Sequence, residues 1–298
     1  MNASEFKKVA VLGGGLIGSS WATNFVWKGL NVSVYDVNDG ALRDTRGTGE
    51  GFLYRYRDLV GKRAEWVRQI LIESKLYFAS PADFNDPFDC KARYRTDISP
   101  EHFQDRANAL MRERGMPRKE RRRALRSTVP IRQFASNVAE GFQKEIDRIG
   151  VLSLSSTHEN ILLWSHYACG HRGVCLQFRV SVDLPFLGGA LDVHYSHEMP
   201  TPTLFGEDPY DRVKAILLTK AIDWKYEREW RVIQPDSRPG PRSFHPSLLS
   251  GLILGANISP QNRDMVLSWV EQRRDPLSVY TAERDPEHFS LVFRSLST

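Results

Sequence analysis

The sequence predicts an α+β fold built on a mixed sheet, preceded by a short, truncated β-α-β segment. Three observations lead there. The apolar run KKVAVL at residues 7–12 ends in glycines and is followed by a helical stretch and the alternating run NVSVY at 31–35, the pattern of two parallel strands joined by a helix. From residue 52 onward, strand-length apolar runs alternate with amphipathic helices, several at hairpin spacing, which argues α+β rather than a doubly wound sheet. The 298 residues, 41% of them hydrophobic, suffice for a sizeable core.

Each element follows from local chemistry. A helix is expected over 16–27, stopped by Gly29, and the second strand finishes at Asp36. The stretch VNDGALRDTRGTGEG at 37–51 holds four glycines and no periodicity that would continue the parallel pattern. Residues 1–45 are therefore expected as one partial unit, 46–51 as a junction and 52–298 as the main α+β domain. In that domain 53–56 reads as a strand, 62–74 as a helix and 75–80 as a strand running into the turn-rich PADFNDP. A basic helical segment follows, interrupted at Pro117 and stopped near Pro130, and then a helix over 133–146. Residues 151–155 form the next expected strand, and Ser156 to Glu159 has capping-box spacing ahead of a helix through Tyr167. The run 174–180 alternates, with Val174, Leu176, Phe178 and Val180 on one face. Further strands are expected at 190–195, 229–234, 251–255, 277–282 and 289–293. Helices are expected at 208–222 and after Ser259-Pro260, an N-cap followed by proline at the first helical position.

Composition narrows the function classes. No apolar run approaches the roughly 18–20 residues of a membrane helix, and Glu5, Lys7 and Lys8 stand where a secretory signal would place its apolar region, so a soluble cytoplasmic protein without membrane partners is expected. Three cysteines, Cys90, Cys169 and Cys175, do not make a disulfide framework. The net charge of +5 is concentrated: residues 106–132 hold ten Lys/Arg against Glu113 and Glu120, a local +8 that leaves −3 for the rest. Arg118, Arg121, Arg122 and Arg123 lie in this segment and are candidates for contacting nucleic-acid phosphates, although a solvated helix face would look the same. Aromatics are nearly absent there, so base stacking is not implied.

The N-terminal pattern carries specific chemistry. Gly13 permits a tight turn, Gly15 lets backbone approach a pyrophosphate, Gly18 allows close helix–strand packing, and the helix N-terminus offers amide donors. Asp36, 18 positions beyond Gly18, is placed to bind ribose hydroxyls and so to favour NAD over NADP. Through VAVLGGGLIGSSWA, KGLNVSVYD and Ala41-Leu42, residues 7–45 resemble the Rossmann-type NAD-binding segment of the 3-hydroxyacyl-CoA dehydrogenase family, especially its carnitine dehydrogenase and lambda-crystallin-like members. That resemblance implies NAD, a small-molecule nucleotide, as cofactor. The family's catalytic His-Phe-x-Asn-Pro motif has no counterpart: Gln104-Asp105 follow His102-Phe103, and Ser290-Leu291 follow His288-Phe289. A dehydrogenase therefore stands as an alternative without its base. A solitary β-α-β also supplies only half of a dinucleotide crevice.

Residues 52–298 resemble a second, bacterial family, the domain of unknown function designated DUF twenty-nine seventy-one, through LYRYR, LYFASPADFNDPFD, VLSLSSTHENILLWSHYACGHRGVCLQF, DWKYEREWRVI and LILGANIS. A fusion junction between 37 and 51 would account for the two resemblances. Within this region Arg55 on an early strand, Ser80 at the end of another, and Glu227 and Glu229 at a late strand are similar in order to mono-ADP-ribosyltransferases. There a basic residue grips the NAD phosphates, a serine braces the site and a glutamate stabilises the oxocarbenium-like state. Alternation would place Glu227, Glu229 and Arg231 on one side of the strand, as either a polar cleft face or an ordinary ion-pair ladder. His166 and His171 flank Trp164 and Tyr167, and His166 is a candidate proton donor, with a satisfied core histidine as the plainer reading. His166, Cys169, His171 and Cys175 have zinc-ligand chemistry without zinc spacing, so no metal is expected. Asp86, in the Asn-Asp-Pro turn after Ser80, is a further candidate.

Overall fold

The computed structural model describes residues 8–12, 31–35, 51–94, 131–180, 185–203, 209–234 and 238–296, together with 105, 108–109, 111–112 and 115–126. In chain order the strands are β1 (Lys8–Leu12), β2 (Asn31–Tyr35), β3 (Gly51–Arg57), β4 (Lys75–Phe78), β5 (Gly150–Ser155), β6 (Val174–Val180) and β7 (Ala190–Asp192). They continue with β8 (His194–Ser196), β9 (Thr219–Ala221), β10 (Glu229–Gln234), β11 (Gly240–Ser243), β12 (Leu249–Leu254), β13 (Ser278–Arg284) and β14 (Leu291–Ser295). The helices are α1 (Lys62–Glu73), α2 (Arg118–Arg126), α3 (Ile131–Ile146), α4 (Ile161–Tyr167), the single turn α5 (Pro185–Gly188), α6 (Pro209–Leu217) and α7 (Pro260–Glu271). Contacts divide the chain into one unit of Met1–Ala79, Gly150–Val193 and Lys225–Thr298, and another of Ser80–Ile149 and His194–Trp224.

The first unit contains an eight-stranded mixed sheet in the order β14-β13-β12-β6-β3-β5-β10-β7. Its neighbours are antiparallel except β12 and β13, which α7 joins. Such a mixed sheet can bury both faces, so strands in it read as alternating between two different cores. Leu53, Leu152, Leu154, Leu176, Phe178 and Val232 enter the larger core, which also takes Val67, Ile70 and Leu71 from α1 and Val266 from α7. The residues between them, Tyr54, Tyr56 and Cys175, enter a second core with Leu163 and Trp164 of α4. Trp164 is fully buried and its indole N–H donates to the His158 carbonyl at 2.7 Å, which satisfies the one polar atom such a side chain brings inside. Val174, Leu176 and Phe178 do share one core and Val180 packs against it, as their alternation predicts. The Ser259 hydroxyl caps α7 by accepting from Asn262 N at 3.2 Å, with Pro260 at the helix start.

Three local expectations are corrected by non-local pairing. Helix α4 is capped by Asn160, whose side chain accepts from Leu162 N and Leu163 N, rather than by Ser156. The Ser156 N–H instead bonds the Arg228 carbonyl at 3.0 Å, because β5 runs on beside β10. The run 190–195 divides at Val193: β7 pairs with β10, whereas β8 pairs in parallel with β9. Helix α6 stops at Leu217, since Thr219–Ala221 is taken up as that partner strand. Strand β11, which has no apolar pattern, pairs with β4.

The second unit holds α2, α3, α6 and the β8–β9 pair. Tyr94 meets Phe142 edge-on at 5.9 Å, and the Arg212 guanidinium lies 5.2 Å from the same ring. Burial pushes the Tyr94 hydroxyl up to about 12. Buried Lys220 stands 3.5 Å from Asp89 and 5.1 Å from the Trp224 ring, while Lys91 pairs with Asp147 at 3.2 Å.

Candidate functional site

Strands β1 and β2 are parallel and in register, from Lys8 opposite Asn31 to Leu12 opposite Tyr35. Their carboxyl ends are therefore paired neighbours, and in sequence Gly13 follows one end and Asp36 the other. Dinucleotides bind outside the carboxyl ends of parallel strands, the end at which the sequence places Gly13, Gly15, Gly18 and Asp36. Those four residues, and the helix expected between the strands, lie outside the described residues.

A second polar cluster belongs to the large sheet. Arg231, fully buried on β10, forks onto Glu229 two residues earlier, with Nε to Oε1 at 2.7 Å and Nη2 to Oε2 at 3.0 Å. Glu229 and Arg231 share a strand face, as alternation predicts. Glu227 reaches the cluster differently: it closes a 3₁₀ turn over Ile222–Glu227, and Arg228 then takes a left-handed conformation (φ 45°) before β10 begins. The Tyr167 hydroxyl donates to the buried Glu227 carboxylate at 2.7 Å, and the Ser155 hydroxyl donates to the Glu227 carbonyl at 2.6 Å. Arg55 donates from Nη1 to the Ser153 carbonyl. Burial, reinforced by the Arg57 charge, holds the Arg55 guanidinium well below the usual arginine range, while the Glu229 carboxylate pulls the other way. Arg57 is likewise pushed down to about 10 by burial. Each buried carboxylate is thus held by a donor, Glu229 by the Arg231 guanidinium and Glu227 by the Tyr167 phenol.

The other predicted residues are placed as follows. Ser80 lies in the second unit, where its hydroxyl donates to the Asp147 carbonyl at 2.6 Å and accepts from Ala82 N, capping the 3₁₀ turn Pro81–Asp83. Asp86 accepts from Phe88 N at 2.9 Å in its own turn. His166 is exposed on α4, its ring 6.2 Å from Tyr226 and 6.3 Å from Tyr167. His171 stacks on Trp164 at 6.1 Å, and Cys175 is buried within β6. Among the described residues no three His, Cys, Asp or Glu side chains come together as metal ligands. Sequence reasoning missed Ser155 and Asn160, whose Nδ2 donates to the Tyr226 carbonyl at 3.0 Å. The signal that locates Ser155 is its register opposite Glu229, which requires knowing that β5 is the partner of β10.

His158 is wedged between Tyr54, at 4.8 Å, and Phe293, at 4.6 Å, and burial lowers its pKa, as it lowers that of His171. A folded-state value below the unfolded one means that the unfolded chain takes up the proton first as pH falls. Stability is thus expected to be full above pH ~6.5 and to decline as pH drops from there toward the depressed folded value. His158→Phe, which keeps a ring in place, should lose less stability than the wild type between pH ~7 and ~5 in urea denaturation. An unchanged pH dependence would remove His158 as its source.

Taken together, the chain has an α+β sheet unit and an NAD-binding-type parallel strand pair at its N-terminus. Comparison with known families adds one match: residues 8–76, less than a quarter of the chain, fit the NAD-binding domain of 3-hydroxyacyl-CoA dehydrogenase. The match runs past residue 45, where the sequence resemblance was expected to stop, and takes in β3 and α1. In this fold β3 is antiparallel to both β5 and β6. No curated protein and no solved structure matches the chain. No helix among the described residues is long and apolar enough to cross a membrane.

Proposed function

We propose that the protein binds NAD at the carboxyl edge of the β1–β2 pair. The observation that carries this reading is the in-register parallel pairing of the two strands that lead into the glycine run and Asp36; the family match over residues 8–76 supports it. Backbone amides after Gly13 and Gly15 would receive the pyrophosphate, and the Asp36 carboxylate would accept from the ribose hydroxyls and repel a 2′-phosphate. Calorimetric titration of the full chain should show NAD binding more tightly than NADP. Asp36→Ala should weaken NAD by about tenfold, as expected for the loss of a charge-assisted hydrogen bond, and narrow the difference between the two nucleotides. Absence of NAD binding would overturn the reading.

A second reading concerns what the sheet does with NAD as a substrate, and it is favoured by the Tyr167–Glu227 hydrogen bond. In an ADP-ribosyl transfer the bond from ribose to nicotinamide breaks and a bond from the same carbon to an acceptor forms. The acceptor proton would pass to a carboxylate such as Glu227 and then to water. Glu227→Gln is the discriminating variant, because its amide oxygen can still accept from Tyr167 and the fold should persist. Nicotinamide release by the wild type and its loss in Glu227→Gln would support transfer. Equal release by both would sink it, and NADH formation from a 3-hydroxyacyl substrate would instead favour the dehydrogenase alternative.

A further inference from the structure

Helix α2 borders an open pocket of about 600 Å³, lined among the described residues by Arg118, Lys119, Arg122 and Arg123. The spacing explains the arrangement: residues four apart lie one turn apart on the same face, so Arg118 and Arg122 form one row and Lys119 and Arg123 a second beside it. The Cβ atoms of neighbours in each row are about 5–6 Å apart. All four side chains are exposed, and none makes an ion pair or side-chain hydrogen bond among the described residues. By contrast, Arg121, which points away from this pair of rows, donates to the Met116 carbonyl. A purely solvated helix face would gain from i,i+4 Glu–Lys or Glu–Arg pairing, and α2 has a single acid, Glu120, among its nine residues. Four like charges held around one cavity repel one another, and an anion that meets several of them at once relieves that repulsion.

We infer that this cavity is a binding site for contiguous phosphates, and specifically for the phosphodiester backbone of a nucleic acid. A nucleic-acid backbone presents successive phosphates at a spacing of several ångströms. Guanidinium forks bind its oxygens in bidentate fashion. The lining residues among the described ones are all basic, so the contact they offer follows the backbone and is indifferent to base sequence. The site is independent of the NAD reading, since its four described lining residues belong to the second unit.

The test is fluorescence anisotropy with a labelled single-stranded 20-mer and with the corresponding duplex, on the full chain, over a series of salt concentrations. Binding should weaken with salt with a slope of log K against log salt of about −3, the value for roughly four phosphates neutralised. Arg122→Glu combined with Arg123→Glu should reduce affinity more than tenfold and flatten the slope. Arg172→Glu, an exposed charge reversal in the first unit, should leave it within twofold. Because the substituted side chains are exposed, melting temperatures of all three proteins should agree, which separates loss of the site from loss of the fold. Tripolyphosphate distinguishes the source of the phosphates: if it binds as tightly as the oligonucleotides and is lost in the double variant, the ligand is a small polyphosphate and the nucleic-acid assignment is overturned. Salt-independent binding, or a double variant that matches the wild type, overturns the site itself.

Discussion

Glu229→Gln is expected to cost about 3–5 kcal/mol of stability, the range measured when one partner of a buried ion pair is removed. The side chains of Arg231 and Glu229 are 0% and 6% exposed, and both carboxylate oxygens receive guanidinium N–H groups. Glutamine has nearly the same shape, so no cavity opens. It replaces one acceptor oxygen with an NH₂ that faces a donor, and it removes the charge that compensates a cation held out of water. Urea denaturation should show the midpoint fall with little change in slope. The double variant Glu229→Leu with Arg231→Met should recover most of the loss, because two apolar groups of similar size need no compensation. A single-variant cost below about 1 kcal/mol, the range of exposed pairs, would show that water reaches the pair.

Gly173→Ala should be comparably damaging for a steric reason. A Cβ at Gly173 would lie 2.0 Å from the Arg57 carbonyl oxygen, at the point where β3 and β6 meet. The obstacle is backbone, so no rotamer change relieves it, and the strands must separate. A cost of about 3 kcal/mol or more is expected, typical of overpacking at a site that cannot give. Gly255→Ala should behave similarly, since its Cβ would meet the His171 carbonyl oxygen at 2.3 Å. Gly141→Ala is the internal control: it lies within α3 with nothing within 4 Å of the added methyl, and should stabilise by about 0.5–1 kcal/mol through helix propensity. Thermal denaturation of the three variants checks the ordering. A neutral Gly173→Ala would mean that β3 and β6 are less closely apposed than described.

Much of the fold is legible locally. The alternation of Val174, Leu176 and Phe178, the amphipathic run of α1 and the Ser259-Pro260 start of α7 each act within a single element, and each falls where expected. The face shared by Glu229 and Arg231 is legible for the same reason, because side chains alternate along any strand. What alternation cannot say is whether that face meets water. The pair is buried, and its burial depends on elements far away in the chain.

The sequence by itself determined the strand–glycine–strand pattern that marks NAD binding, the main helices and strands, and the concentration of positive charge on one segment. Only the tertiary structure decided that GPRS at 240–243 is a strand, that 190–195 divides between two sheets, and that Ser80 caps a turn while Glu227 receives Tyr167. The physical reason is range: propensity, capping and periodicity act over a few residues, whereas pairing partners and burial are set by segments such as β4 and β11, distant in sequence and adjacent in space.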